Sequence, residues 1–569
     1  MTLLDRPRVR PWVPASVTAL RHYSAALFRR DLVAGVTTGL VALPLAMAFA
    51  IASGLPPEAG IYCAIVTGFT VSALGGSRVQ IGGPTGAFVV VVAGIVAEHG
   101  VLGLYVCTMM AGVLLVLLGA TRTGSIVRFI PRPVVVGFTN GIAVLIASTQ
   151  IRDVLGLHLD TNPGQFLARI EAIAGHLSTI TPAAVGIAAL TLVLVLGTNR
   201  LIKVVPGYIV GLLGGTAIAW AAGLPVETIA SRFGGVPSGL PELHVPPFHA
   251  GLLLTLLSPA VTVAMLGAIE SLMSAVVADR MSGDRHNPNV ELIGQGVANI
   301  LSPLVGGLPA TGAIARTATN VRAGARTPVA GMVHALTLLA VLLSGARLAG
   351  HIPMAVLAAI LLVVAANMGE WHEIPVMLRQ TKTDIGVWIA TFALTVFADL
   401  TVAVEFGMIM AALLYVRRVA QTTTVSQVTP ETVHDDRVHV LQDKRIPEFA
   451  MVLRIHGPFL FGATDKLRQL IEGLDTRTRV VIVRLRNMTA IDATGLRALE
   501  DVAVDLRASG RTALFCGARE QPLAAMRQAG FFEVVGADNV CPNIDAALAR
   551  ARALSADDSE RSGVVLRKT

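Results

Sequence analysis

The chain has 569 residues, 53% hydrophobic, 14% charged and 5% aromatic, with a net charge of +8 and a mean hydropathy of +0.68. Soluble proteins carry about 25% charged residues, so most of this chain is composed for lipid and not for water. Its basic residues lie between apolar runs and form no aromatic-interleaved basic face, which argues against nucleic acid as a partner. No Walker-type phosphate loop and no Ser/His/Asp set suggests an enzyme, and the four cysteines lack metal-ligand spacing, so no cofactor is expected.

Residues 1–30 are Arg-rich and lack the apolar core of a cleavable signal; they are expected to form a cytoplasmic segment. Apolar runs follow over 31–420, near 32–53, 60–76, 84–97, 101–119, 133–151, 182–198, 206–223, 254–278, 289–304, 311–323, 328–345, 352–367, 384–399 and 402–419. Seven precede residue 230 and seven follow it. With the N-terminus inside, the inside loops hold twenty Lys and Arg residues, from Arg6 to Arg418. The outside loops hold four: Arg152, Arg169, Arg232 and Arg347. That asymmetry predicts a multi-pass plasma-membrane protein with both termini cytoplasmic. Seven spans per half invert the second half relative to the first, giving an inverted repeat.

The third segment of each half is too short. A helix of about 13 residues extends only about 20 Å, against roughly 30 Å of hydrocarbon. Each follows a Gly/Pro break: Gly82-Gly83-Pro84-Thr85-Gly86-Ala87-Phe88 in the first half and Gly306-Gly307-Leu308-Pro309-Ala310-Thr311-Gly312-Ala313-Ile314 in the second. The two Thr-Gly-Ala triplets lie 226 positions apart (311 − 85). A helix that begins inside the membrane leaves its first N–H groups unpaired and carries about +0.5 charge there. Two such starts facing each other make a place for an anion.

Several intramembrane residues carry candidate chemistry. Glu270 lies mid-way through the eighth segment with Ser274 four residues on, sharing one helical face; it is a candidate proton or cation site, or else a packing partner of Arg316. Arg316, inside the second short segment, is a candidate anion ligand because its guanidinium is always charged and offers a fork of donors; the competing role is counter-ion to Glu270. Thr85 and Thr311 are candidate hydroxyl donors at the two helix starts, or plain N-caps. Phe49 and Phe88 line a pocket or pack the core. Pro44 kinks the first segment and, at the 226-residue offset, aligns with Glu270. Asp399 and Glu405 read as loop charges.

The run Val79–Phe88, the block Gly267–Asn289, the stretch Thr311–Asn320 and Asp399–Glu405 resemble the signatures of sulfate-permease-type anion transporters, the SulP or solute-carrier-26 family. The resemblance covers about residues 28–552. It implies fourteen segments in a 7+7 inverted repeat, a core domain (segments 1–4 and 8–11) moving elevator-fashion against a gate domain (5–7 and 12–14), and a likeness to transporters that form homodimers. It also implies an anion between the third and tenth helix starts, touching Phe49, Thr85, Gly86, Ala87, Phe88, Glu270, Ala315 and Arg316, with Thr311 and Gly312 at the second break. Bicarbonate transporters of the family bind sodium through an Asp and a Thr where Glu270 and Ser274 stand here; the departure favours H+ over Na+ as coupling ion.

Residues 433–552 alternate strand-like and helix-like patterns: Val480–Leu485 and Thr512–Gly517 as buried strands, Leu496–Ala508 and Gln521–Ala529 as helices. This cytoplasmic α/β domain resembles a STAS domain. In stand-alone STAS antagonists the matching position carries a phosphorylated Ser, which makes Thr494 a candidate regulatory residue; alternatively Asp492 or Thr494 caps the helix. The tail 553–569 is expected to be disordered. The combined expectation is a proton-coupled symporter of a small anion (sulfate, bicarbonate or dicarboxylate class) in the lipid bilayer. The alternatives are an uncoupled channel or exchanger, sodium-coupled bicarbonate uptake, a membrane-anchored STAS signalling protein, and a nucleobase carrier, against which Arg316 argues.

Overall fold

The computed structural model describes residues 12–21, 23–122, 131–159, 163, 165–201, 206–237, 239, 241–243, 245–246, 250–398, 402, 406–407, 409–410, 413–414, 423–427, 446–460 and 464–565. Two units separate, residues 1–411 and 412–569.

In the first unit, eight of the described helices are long and apolar enough to cross a membrane. Thirteen of the fourteen expected segments fall on helices: α1 (Ala25–Ala52), α2 (Pro57–Leu74), α3 (Gly86–Ala120), α4 (Arg132–Leu155), α5 (Pro182–Leu201), α6 (Gly207–Ala221), α7 (Leu257–Ser282), α8 (Pro288–Leu301), α9 (Ile314–Arg322), α10 (Val329–Ala349), α11 (Met354–Met368) and α12 (Lys382–Phe397). The third and fourth segments share α3, which breaks at Gly100 (φ 69°). The left-handed conformation there suits glycine and ends the first, short stretch. The fourteenth segment, with Asp399 and Glu405, lies largely outside the described residues. Pro44 sits inside a continuous α1.

Close packing rests on small residues, as expected between membrane helices. A Cβ on Gly112 of α3 would lie 2.7 Å from the carbonyl of Gly296 in α8, and one on Gly296 would lie 2.6 Å from the carbonyl of Gly112. The interior polar groups are tied to the backbone across long sequence distances. Glu291 in α8 accepts from the N–H groups of Gly76 (2.7 Å) and Ser77 (2.8 Å) and from Nε2 of Gln80 (2.9 Å). Asp31 in α1 accepts from the N–H groups of Arg326 and Thr327 and from the Thr327 hydroxyl.

The second unit is a five-stranded sheet in the order β3-β4-β5-β6-β7 (Thr424–Gln427, Ala450–Phe459, Val480–Ile491, Thr512–Cys516, Val540–Cys541). β3 runs antiparallel to β4, and the other neighbours are parallel. One face packs under α13 (Thr464–Glu472), α14 (Ala493–Ala508) and α15 (Glu520–Gln528), the other under α16 (Ile544–Val565). α16 runs on to Val565, into the tail read from the sequence as disordered.

Candidate functional site

The two breaks meet. Gly82–Gly83 (β1) pairs antiparallel with Thr311–Gly312 (β2), in the register Gly82↔Gly312 and Gly83↔Thr311. Non-helical backbone inside a membrane must find partners within the protein, and here each strand supplies the other's. The surroundings complete the set. The N–H of Ala313 donates to the carbonyl of Ile81 (2.9 Å), and that of Ile81 to the Thr317 hydroxyl (3.0 Å). The N–H of Gly312 donates to the Ser271 hydroxyl (3.0 Å). Asn299 both donates to the Ala310 carbonyl and accepts from the Ala310 N–H, and Gln295 donates to the same carbonyl.

From this crossing α3 and α9 start, and neither start is capped by a side chain. Their first N–H groups, with the partial positive charge of the helix end, border a cavity of about 470 Å³. Its wall combines Phe49 from α1, Thr85, Gly86 and Ala87 at the start of α3, Glu270 from α7, and Ala313, Ile314, Ala315 and Arg316 at the start of α9. Val134 and Phe138 of α4 and Met368 of α11 also line it.

Within the wall, Thr85 donates its hydroxyl proton to Oε2 of Glu270 at 3.0 Å. Arg316 is 2% exposed; its Nη2 donates to the carbonyl of Pro84, and its buried Nη1 has no partner. The guanidinium therefore stands without a carboxylate among the described residues, and the pairing with Glu270 weighed from the sequence is not formed. An unpaired buried cation is costly, and an incoming anion would offset that cost.

Four of the expected site residues stand elsewhere. Phe88 is buried and packs toward Gly267 of α7. Ser274 donates to the Thr317 hydroxyl (3.3 Å), away from Glu270's contact with Thr85. Thr311 does not begin a helix: it lies in β2, shares a hydrogen bond with Ser271 (2.8 Å) and donates to the carbonyl of Gly267 (3.0 Å). Gly312 is in the same strand, pressed against Gln80 and Ser271. The physical reason is the extended backbone of Ala313 (φ −90°, ψ 104°), which delays α9 to Ile314. The N-cap matching Thr85 is thus Ala313, an offset of 228 (313 − 85) and not 226.

Residues that sequence reading passed over are Ser271, Gln295, Asn299 and Thr317, which hold the crossing together. Each is a polar side chain in an apolar run, which is the signal that finds them. In the C-terminal domain, Asp492 caps α14 by accepting from the Gly495 N–H (2.7 Å), and Thr494 is exposed in the first turn. Cys516 and Cys541 are free; burial pushes the Cys516 thiol up to about 12.

Comparison with known proteins agrees with this architecture. The profile described as Sulfate permease family matches residues 28–391, and that described as STAS domain matches 440–547. The chain belongs to the sulfate permease family. The putative sulfate transporter YvdB of Bacillus subtilis is 39% identical over 519 residues, 91% of this chain and 96% of that protein. The bicarbonate transporter BicA of Picosynechococcus is 29% identical over 538 residues, 92% of this chain and 94% of that protein. Among solved structures, the transmembrane domain of a cyanobacterial BicA superposes with a TM-score of 0.62 at 33% identity, covering 67% of this chain and 98% of that one. SLC26A9 superposes with a TM-score of 0.83 at 18% identity, covering 95% and 93%, which speaks to the fold alone. The protein is therefore a multi-pass membrane transporter of the sulfate and bicarbonate anion class with a C-terminal STAS domain, and its relatives are named as transporters, not enzymes.

Proposed function

We propose that the protein is a secondary transporter that binds a small anion, of the sulfate, bicarbonate or dicarboxylate class, between the starts of α3 and α9 and carries it with a proton. The observation that carries this reading is Arg316: a buried guanidinium with an unpartnered Nη1, beside two uncapped helix starts, on the wall of a membrane-embedded cavity. Phe49, Thr85, Gly86, Ala87, Ala315 and Arg316 form the anion's surroundings, with Thr311 and Gly312 supporting them from β2. Phe88 backs the pocket from the core.

Glu270 is the proton acceptor. It lines the same cavity as Arg316 without being paired to it, so anion and proton arrive at one place and their charges offset. Ser274 would complete a sodium site in the alternative reading, but its hydroxyl is engaged with Thr317. The crossing, α3, α7 and α9 move as one core against a gate containing α4 and α11, exposing the cavity to either side in turn. The protein works as a homodimer in the plasma membrane with both termini cytoplasmic, which the charge asymmetry of its loops favours. Thr494, exposed at the start of α14, is offered as a regulatory position.

The test is uptake into proteoliposomes of radiolabelled sulfate, bicarbonate and C4-dicarboxylates, each with and without an imposed proton or sodium gradient. Accumulation of one anion against its gradient, driven by protons, supports the reading. Flux of every anion only down its gradient, indifferent to pH and sodium, identifies a channel and overturns it.

A further inference from the structure

A second concentration of positive charge lies in the C-terminal domain. Arg454 on β4 is the register partner of Arg484 on β5, and Arg484 is the partner of Cys516 on β6, which pairs with Cys541 on β7. Register partners in neighbouring strands stand about 4.8 Å apart and point to the same face. That face is the one covered by α16: Val452, Ile482, Leu514, Cys516 and Cys541 pack there against Ile544, Ala547 and Leu548. Arg454 and Arg484 each follow by two residues the last covered residue of their strands, so they prolong the face beyond its apolar part. Arg486, exposed, lies further along β5, and its Cβ is 3.6 Å from where a Cβ on Gly517 would be. Arg519 donates its Nε to the carbonyl of Arg486 (2.8 Å), bringing in a fourth guanidinium.

Like charges directly opposite one another on a sheet are destabilising, and among the described residues no carboxylate pairs with Arg454, Arg484 or Arg486. The Nε atoms of Arg454 and of Arg550 on α16 are buried without a hydrogen-bond partner. Burial, and then the charges of Arg454 and Arg486, lower the pKa of Arg484, which reports the same crowding. Arg484 lies level with the carboxyl end of β6, midway along β4 and β5, and a guanidinium fork matches a tetrahedral oxyanion two bonds at a time.

We propose that the arginine row of Arg454, Arg484 and Arg486, midway along β4 and β5, binds a sulfate- or phosphate-class oxyanion, so that the STAS domain carries an anion site of its own in addition to the membrane cavity. The bound group neutralises the arginine row and ties β4 to β5.

The test is equilibrium dialysis of the full-length protein in detergent against radiolabelled orthophosphate. The wild type, Arg316→Gln, Arg486→Gln and the double variant Arg454→Gln/Arg484→Gln are compared. Binding survives in Arg316→Gln, weakens by about 10-fold or more in the double variant, and weakens by roughly 3- to 10-fold in Arg486→Gln, since each lost guanidinium removes charge-assisted bonds. Arg486 is exposed, so its variant keeps the test valid if the double variant does not fold. Competition identifies the source of the group. Displacement at lower concentration by AMP than by sulfate assigns a phosphorylated ligand, and equal or better displacement by sulfate assigns a free inorganic oxyanion. Orthophosphate binding that disappears in Arg316→Gln, or that is unchanged in Arg486→Gln and in the folded double variant, overturns the proposal.

Discussion

The hydroxyl of Thr85 donates to the carboxylate of Glu270 at 3.0 Å, joining residues 185 positions apart on the wall of the membrane cavity. The bond ties the start of α3 to the middle of α7, so the proposed anion-binding helix end and the proposed proton acceptor are in direct contact.

Thr85→Val keeps the shape of the side chain and removes the donor. A hydrogen bond to a charged group contributes about 1.5–3 kcal/mol, so the KM for the transported anion should rise by roughly 10-fold or more, with Thr85→Ser close to the wild type. Initial-rate uptake in proteoliposomes reads this. A wild-type KM in Thr85→Val would leave the hydroxyl with no part in the site.

Glu270→Gln retains the size of the side chain and its ability to meet Thr85, but can no longer gain and lose a proton. Uptake driven by a pH gradient should disappear while the protein remains folded and monodisperse, and anion exchange at uniform pH should persist. The same pH dependence in variant and wild type would take Glu270 out of the coupling step.

Gly83 passes so close to Arg316 that a Cβ on it would lie 2.4 Å from Nη1. Gly83 also holds φ 155°, a conformation L side chains rarely adopt, so Gly83→Ala should strain the crossing as well as displace the guanidinium. The expected result is a lowered thermal midpoint with transport reduced at least 10-fold. A variant with full transport would show that the position of Nη1 is immaterial.

Glu291 serves the scaffold. Its carboxylate accepts three hydrogen bonds at the turn before β1, and removing it in Glu291→Ala leaves three buried donors unsatisfied at about 1–3 kcal/mol each. A lowered thermal midpoint in detergent and reduced yield are expected. Unchanged stability would mean that the turn finds other partners.

Much of this was legible in the residues. Apolar runs located thirteen segments because span length is set by the bilayer, and the Gly/Pro interruptions located the crossing because a membrane-buried break has few other reasons to exist. The phase of the second break was not legible. Thr311-Gly312-Ala313 repeats Thr85-Gly86-Ala87 letter for letter, yet Thr311 pairs in β2 and α9 waits until Ile314. What decides between them is the pairing Gly83↔Thr311 and the hydroxyl of Ser271, both contacts across long stretches of chain. Ser274 shows the same dependence: helical spacing puts it on the face of Glu270, while the neighbour its hydroxyl bonds is Thr317 in α9. The separation of Arg316 from Glu270 likewise depends on the Pro84 carbonyl, 232 positions away.

The central claim is that Arg316 and the two helix starts hold the transported anion. Its most direct measurement is the equilibrium affinity of purified Arg316→Ala for the anion identified by the uptake screen, read beside the thermal midpoint of the same sample. Loss of a buried, charge-assisted partner should weaken binding by about 2–5 kcal/mol with the protein still folded. Wild-type affinity in a folded Arg316→Ala would contradict the account.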